Sequence, residues 1–220
     1  MQINKDDIKG ALVSLYWDDD HWTGNLDHNI SRYRFNYIRD YLYSCEKLTF
    51  GHKKYPCERD GTYLGYSRMI KDLLFFKGDI MKKIDFKIIF FVANNPVEEE
   101  TFVVGFYAFP NLFWSMPRRA SNKLYKTYTF SNISSKVENI VQFENYLPVG
   151  KEYKLSKKPH YFPWGGDEYH LSGNHEKEGY LFLNQLDVEN ILEKVIDLNP
   201  GQEELTTSYQ RIKDELSGKD

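Results

Sequence analysis

Four tryptophans are the residues of this sequence whose type and position best suit a recognition chemistry. They are Trp17, Trp22, Trp114 and Trp164, in a chain in which Phe, Trp and Tyr make up 16% of the residues. Aromatic side chains mostly build cores, but all four fall at predicted strand ends or in loops. Rings that converge at one end of a sheet form a slot that fits another flat ring, and a nucleobase is the natural example. We therefore expect aromatic stacking, with core burial as the alternative for any single ring.

Catalytic chemistry is not indicated by the sequence. It contains no GxSxG motif, Walker A loop, HExxH helix or paired CxxC motif. The spacing of His160, His170 and His175 could hold zinc, but loop histidines without cysteine partners are more often solvated or hydrogen-bonded. The three acids at 18–20 point in different directions, which favours a capping or loop role over a cation site. We predict no catalytic residue, no metal site and no cofactor.

Length and composition indicate one α+β domain with a tail. The chain has 220 residues, enough for one buried core, and we predict a domain over 1–185 and a helical tail over 186–220. No run approaches the roughly 18 apolar residues of a membrane span, and the start lacks the apolar stretch of a secretory signal. Cys45 and Cys57 stand in ordinary settings that fit a reducing compartment. We therefore expect a cytoplasmic protein.

The charge is small overall and unevenly distributed. The formal net charge is -3, which argues against strong, sequence-independent nucleic-acid binding through the whole surface. Residues 176–220 hold 11 acidic and 5 basic side chains, so the first 175 residues carry a net charge of +3. The body is mildly basic and the tail is acidic.

Hydrophobic patterning predicts a strand and two helices in the first third of the chain. Residues 11–17 (ALVSLYW) predict a first strand, and the polar loop after it carries Trp22. Ser31 can cap a helix in which apolar residues recur every three or four positions. A loop is predicted over 51–61, and a second helix over 63–76.

The clearest signal is a hairpin at the centre of the chain. IDFKIIFFVA (84–93) and TFVVGFYAF (101–109) are rich in β-branched and aromatic residues, and NNPVEEE joins them. They predict two antiparallel strands central to the sheet. A half-exposed strand is predicted over 123–130, whereas 136–143 fits a strand or a helix.

The last third begins with a long irregular segment and ends in helices. The segment 151–179 is rich in Lys, Pro, Gly and His, and such a segment is usually functional when it is ordered. GYLFLN then predicts a short final strand. Asp187 is the expected cap of a helix through Leu198. Apolar positions over 205–216 predict a further amphipathic helix that docks on the body or leads to another domain.

The central segment FKIIFFVANNPVEEETFVVGFYAFPNLFWSMP resembles the core of the YTH and EVE modules of the PUA-like superfamily. GFYA (105–108) matches the strand that leads to a cage segment, and FWSMP (113–117) matches the cage segment itself. Residues 84–117 carry the close resemblance, and the rest of the chain follows only in the order of its elements. The resemblance implies an α+β, PUA-like fold: a small twisted β-barrel or sheet flanked by helices, with a C-terminal helical tail.

The same resemblance implies a reader of modified bases. Such modules flip a methylated base into an aromatic cage, with one tryptophan in the segment that Trp114 matches and another in a loop soon after the first strand. For that second position Trp22 is preferred to Trp17. The implied roles are cage residues Trp22, Trp114, Trp17 and Phe113; base-edge residues Asn25, Asn111 and Ser115; and phosphate-binding residues Arg118, Arg119, Lys123, Lys126, Lys157 and Lys158.

The implied partner is nucleic acid, most simply double-stranded DNA that carries a methylated base. The acidic helical C-terminus resembles a connector to an effector domain, a nucleoside triphosphatase or a nuclease. Such connectors occur in the N-terminal specificity domains of McrB-type modification-dependent restriction systems.

Two other classes of function stay open. The first is a protein-interaction module whose aromatic loops bury a partner. The second is a small metal-dependent nuclease that uses Asp18, Asp19 and Asp20 with nearby histidines. Phosphate contacts make binding fall steeply with salt, whereas an apolar interface barely responds, and a metal-dependent nuclease would lose activity with a chelator.

Overall fold

Eight strands form two sheets in the part of the chain that the structure, a computed structural model, describes: residues 7–15, 17–19, 21–23, 45–55, 57–75, 84–95, 97, 100–117, 130–149 and 180–218. The strands are β1 (Gly10–Leu15), β2 (Thr62–Gly65), β3 (Ile88–Asn95), β4 (Glu100–Ala108), β5 (Asn111–Pro117), β6 (Phe130–Lys136), β7 (Ile140–Pro148) and β8 (Tyr180–Leu183). These residues also form three helices, α1 (Arg68–Phe75), α2 (Gln185–Leu198) and α3 (Glu203–Leu216). The described residues therefore have an α+β fold, as predicted.

The larger sheet has the strand order β7-β4-β3-β1-β8, and the smaller sheet has the order β2-β6-β5. β1 and β3 run parallel, and they are buried along most of their length, which is why they read as unbroken apolar runs. β3 lies at the centre of the larger sheet and pairs antiparallel with β4, which confirms the predicted central hairpin. The described strands form two separate sheets and do not close into a barrel.

Each face of the larger sheet carries its own core. On one face, Val13, Phe91 and Tyr107 pack with residues of the smaller sheet and of α1. On the other face, Leu12 and Phe90 pack against α2 and α3. Because successive side chains of a strand point to opposite faces, the central strands serve both cores. Because both faces of the larger sheet are packed, the turns that follow the ends of its strands are attached to a rigid structure.

The C-terminal helices are part of this packed structure. α2 begins with a capping box, in which the side chains of Asn184 and Asp187 each accept a hydrogen bond from the other's backbone N–H. The cap is thus Asn184, and the predicted Asp187 is the third residue of the helix. The helix predicted over 205–216 docks on the body, and the domain boundary at 185 stays a prediction. Both helices bury apolar side chains in the core: Val188, Ile191, Leu192, Val195, Leu205 and Ile212.

The helix predicted over 63–76 begins later than the sequence suggested. Thr62–Gly65 form β2, paired with β6, and burial alternates along this strand. α1 starts at Arg68, where the hydroxyl of Ser67 accepts a hydrogen bond from a backbone N–H of the first turn. The apolar positions that suggested one helix therefore belong to a strand followed by a helix.

Other predicted elements either differ from the prediction or lie mostly outside the described residues. Residues 136–143, which fitted strand or helix, contain a 3-10 turn followed by β7. Of the strand predicted over 123–130, only Phe130 is described, and it begins β6. The helix predicted from Ser31 and the segment 151–179 lie outside the described residues, apart from the last positions of that helix.

Candidate functional site

A strained turn follows the C-terminal end of β1. We call residues 17–19 and 21–23 the β1 turn. His21 and Trp22 have φ angles of 56° and 54°, in the left-handed region that residues other than glycine rarely adopt. The carbonyl of Asp18 accepts a hydrogen bond from the N–H of His21, and its carboxylate accepts one from the N–H of Trp22, both at 2.9 Å. Such strain, about 1–3 kcal/mol per residue, persists only where the surroundings fix it, and it clusters at functional sites.

Asp18 is the buried centre of the β1 turn. Its side chain is 2% exposed and forms an ion pair with Lys47 at 3.4 Å. Asp19 is exposed, and its carboxylate accepts a hydrogen bond from the indole N–H of Trp17 at 2.8 Å. Both carboxylates therefore hold the turn, while Asp20 lies outside the described residues. No described group of three or more His, Cys, Asp or Glu residues is placed to hold a metal ion.

Aromatic rings from three parts of the chain pack beside the β1 turn; we call Trp17, Trp22, Phe102 and Tyr146 the aromatic cluster. The ring centroids of Trp17 and Trp22 lie 5.8 Å apart with an interplanar angle of 83°. Trp17 lies 6.2 Å from Tyr146 at 88°, and Trp22 lies 6.1 Å from Tyr146 at 60°. These are the edge-to-face contacts of packed rings, whereas a base sandwich needs parallel rings with a gap between them.

Trp22 is fully buried within the aromatic cluster, whereas Trp17 is half-buried. In this arrangement Trp22 offers no ring face to a base, which differs from its predicted role as the wall of an open cage. The burial follows from the β1 turn, because Asp18 fixes the backbone of Trp22 in a conformation from which the indole enters the core. The structure therefore brings Trp17 and Trp22 together as packed neighbours.

Two residues of β7 hold the β1 turn from the other side. The hydroxyl of Tyr146 is hydrogen-bonded to Nδ1 of His21, and the side-chain amide of Gln142 donates to the carbonyl of His21 at 2.5 Å. Burial raises the pKa of Tyr146 to about 12, and the nearby charge of Asp18 acts in the same direction. The phenol therefore stays protonated at neutral pH, so it can donate as well as accept a hydrogen bond.

Trp114 lies on β5 and is 55% exposed, and it belongs to neither buried core. The register of β5 with β6 shifts between Leu112 and Met116, so that residues 113–115 lie opposite the single residue Asn132. A bulge of this kind changes the direction of side chains, and bulges are frequent beside functional sites. Trp114 was predicted to follow a strand, but the structure places it inside one, where the bulge presents its ring to solvent.

A chain of buried polar residues connects this bulge to the end of β1. The side-chain carbonyl of Asn132 accepts from the N–H of Ser67 at 3.0 Å, and its amide donates to the carbonyl of Ser67 at 2.6 Å. The hydroxyl of Ser67 donates to the carbonyl of Ser14 at 2.8 Å. These bonds fix β6, the start of α1 and β1 to one another, so Trp114 stands beside a rigid part of the fold.

The structure describes few of the other predicted site residues. Phe113 is half-buried and Asn111 is exposed, and both lie on β5 with the backbone of Ser115. One strand therefore carries all the predicted residues of the cage segment, and their roles stay predictions. The predicted residues outside the described part of the chain are Asn25, Arg118, Arg119, Lys123, Lys126, Lys157 and Lys158.

Tyr146, Lys47 and Asn132 were not anticipated from the sequence. Each supports the site through a partner that is distant in sequence, and 125 residues separate Tyr146 from His21. The sequence carries one signal for Tyr146, an aromatic residue within the otherwise polar run ENY, but nothing in it pairs this residue with the β1 turn.

Comparisons of the chain with protein-family models, with curated proteins and with solved structures found no match. None of the described helices has the length and apolar character needed to cross a membrane. The resemblance of residues 84–117 to YTH and EVE modules therefore stays a prediction, and the geometry of the site is the basis for a function.

Proposed function

We propose that the protein is a nucleic-acid-binding module that recognises a methylated base by stacking it on the indole of Trp114. The observation that carries the proposal is the position of this ring, 55% exposed in the bulge of a paired strand. A tryptophan held at the surface by a rigid element gives a large contact area at a small cost in conformational entropy. Every base has a flat face, so such a ring is a general stacking platform.

The energetics of a single ring favour bases that leave the helix easily. Stacking on one aromatic side chain stabilises a bound base by about 1–3 kcal/mol. Extruding a base from a duplex costs a few kcal/mol, and less where the pair is mismatched or damaged. Because Trp22 is buried, one ring offsets extrusion only in part. The module is therefore expected to prefer single-stranded, mismatched or otherwise weakened sites to intact duplex.

Discrimination of the methyl group needs more than apolar burial. Burying one methyl group contributes about 0.8 kcal/mol, which corresponds to roughly fourfold in affinity. Shape-fitted contacts raise such a difference to about 1–3 kcal/mol, and polar groups must read the edge of the base. Asn111 is exposed on the strand that carries Trp114, and Ser115 follows Trp114 directly, so these two residues are the candidates.

The experiment is a titration with matched oligonucleotides that carry cytosine, 5-methylcytosine, adenine or N6-methyladenine, each single-stranded and as a duplex. Measurements at about 50 and 200 mM salt test for phosphate contacts, because these make affinity fall steeply with ionic strength. The expected result is a preference for one methylated oligonucleotide, strongest in the single strand.

Trp114→Ala tests the role of the ring. It should abolish the preference and weaken binding by the stacking contribution of about 1–3 kcal/mol, whereas Trp114→Phe should retain part of both. Leu186→Ala is the matched control, because Leu186 is also a large exposed side chain but lies on α2. Thermal unfolding checks that each variant is folded. A folded Trp114→Ala protein with an unchanged preference would contradict the proposal.

A second candidate is a protein-interaction module, and the exposed leucines of α2 favour it. Leu186 and Leu198 lie near the two ends of this helix with large parts of their side chains in solvent. Salt separates the two candidates, because an apolar interface responds little to ionic strength. Self-association that is insensitive to salt and lost in Leu186→Ala, together with no binding to any oligonucleotide, would favour this second function.

A further inference from the structure

The C-terminal ends of β1 and β3 lie at the same edge of the larger sheet because these two strands are parallel. In open sheets with parallel strands, ligands bind beyond this end of the strands. Two polar side chains are buried here, Ser14 on β1 with 6% exposed and Asn94 on β3 with 3% exposed. Ser14 is aligned with Val92, which belongs to the core under α2 and α3, and Asn94 lies two residues further along the same face.

Neither the hydroxyl of Ser14 nor the side-chain nitrogen of Asn94 has a hydrogen-bond partner in the structure as described. Buried polar groups in proteins are nearly always hydrogen-bonded, and each exception needs an explanation such as a bound water, a bound ion or a functional role. The two unpaired groups lie on neighbouring strands and on the same face of the sheet. The simplest explanation is one cause for both missing hydrogen bonds. A molecule bound between them would supply both missing hydrogen bonds.

Thr101 fixes the direction of the Asn94 amide. Thr101 lies directly opposite Asn94 on β4, and its hydroxyl donates to Oδ1 of Asn94 at 3.2 Å. Because Oδ1 is occupied, the end that stays open is the amide nitrogen, which donates. The hydroxyl of Ser14 can donate or accept. The pair therefore offers a donor beside an acceptor, and neither side chain carries a charge.

We propose that Ser14 and Asn94 form a binding site for a planar amide edge, a carbonyl beside an N–H, such as the edge of a neutral pyrimidine. The ligand carbonyl accepts from Nδ2 of Asn94, and the ligand N–H donates to Oγ of Ser14. Strand spacing and rise per residue place the two Cα atoms about 8 Å apart, a distance that the two side chains can bridge through one amide edge and two hydrogen bonds. The site is independent of Trp114 and does not rest on the proposed function.

Titration of the nitrogen-15-labelled protein with uracil, followed by NMR, tests this site. We expect a saturable shift of the side-chain NH2 signal of Asn94. The analogue 1,3-dimethyluracil lacks the N–H groups, and it should bind about fivefold more weakly, the usual effect of losing one neutral hydrogen bond. Acetamide offers the same edge without a ring, so its binding shows whether the edge alone is recognised. Absence of a saturable shift with both uracil and acetamide would overturn the proposal.

Ser14→Ala supplies the matched variant. It should weaken uracil binding about fivefold, while its melting temperature stays equal or rises because an unpaired buried hydroxyl is removed. The shift of the Asn94 NH2 signal reports on this site alone, so failure of the base-stacking proposal at Trp114 leaves the expected result unchanged. Wild-type affinity for uracil in Ser14→Ala would show that the hydroxyl takes no part. Should the variant not fold, the comparison of uracil with 1,3-dimethyluracil in the wild type still decides.

Discussion

Asn199 hydrogen-bonds both backbone groups of Asn145 at the outer edge of β7. Its Oδ1 accepts from the N–H of Asn145 at 2.6 Å, and its Nδ2 donates to the carbonyl of Asn145 at 3.0 Å. Gln202 extends the contact by donating to the carbonyl of Gln142 at 2.7 Å. These side chains occupy the place of a further strand, on an edge that would otherwise offer unpaired groups to another chain. The connection from α2 to α3 thus protects the strand that also holds the β1 turn.

Asn199→Ala should destabilise the protein and expose this edge. The variant loses two hydrogen bonds to Asn145 and one to the carbonyl of Val195, and it leaves backbone groups of β7 without partners. We therefore expect the free energy of unfolding to fall by about 2–3 kcal/mol. Urea unfolding measures the loss, and light scattering measures the aggregation that an open edge favours. Asn190→Ala, at an exposed position of α2, the helix that Asn199 caps, should change stability by less than about 0.5 kcal/mol. Equal stability of the two variants would mean that water replaces the Asn199 amide without loss.

The ion pair of Lys47 with Asp18 should be essential to the β1 turn. Lys47→Met removes the ammonium group that pairs with the buried carboxylate of Asp18, and breaking such a pair costs about 3–5 kcal/mol. Asp18→Asn removes the charge but keeps an oxygen that can accept from the N–H of Trp22, so its loss should be smaller. Urea unfolding of both variants checks the order. If Asp18→Asn were the less stable of the two, the charge of Asp18 would have a role beyond the turn.

His52 should make stability depend on pH. Burial lowers the pKa of its imidazole to about 4, and the charge of Lys53 acts in the same direction. In the unfolded chain the pKa returns to about 6.5, so between these values the unfolded state binds more protons, and stability rises with pH. The wild type should therefore lose about 2.5 kcal/mol between pH 7.5 and pH 4.5 through this residue. His52→Gln, unfolded in urea at both pH values, should lack this part of the slope. A slope that is unchanged in the variant would assign the dependence to carboxylates.

The sequence alone was sufficient to predict the elements whose hydrophobic pattern is local. The hairpin of β3 and β4 and the strand β1 were predicted because a strand buried on both faces has an unbroken run of β-branched and aromatic residues. Gly105 belongs to the GFYA match and is easily seen in the sequence, but the contacts that require a glycine there come from residues distant in the chain. A Cβ atom there would lie 2.5 Å from the carbonyl oxygen of Val141 and 2.6 Å from the ring of Phe50. Only the fold reveals why that position needs a glycine.

The environments of the two cage tryptophans depended on distant partners, and this is why the sequence could not predict them. Trp22 was placed in an open loop because its neighbours are polar, but Asp18, Lys47 and Tyr146 together turn it into the core. Trp114 was placed after the predicted strand 101–109, but its segment forms a strand of its own, and a register shift against β6 keeps Trp114 within β5. Pairing register and ion pairs between distant residues leave no periodic signal in a single sequence.

The different burial of Trp22 and Trp114 predicts opposite effects of the same substitution. Trp22→Phe removes part of a fully buried ring and should lower the free energy of unfolding by about 1–3 kcal/mol, while the folded protein binds oligonucleotides as before. Trp114→Phe changes an exposed ring, so it should change stability by less than about 0.5 kcal/mol but weaken binding. Urea unfolding and oligonucleotide titration of both variants complete the comparison. Weaker binding with unchanged stability in Trp22→Phe would mean that the β1 turn opens and that Trp22 forms a second wall. In that case the strain at His21 and Trp22 would serve the opening, and intact duplex would become a competent target.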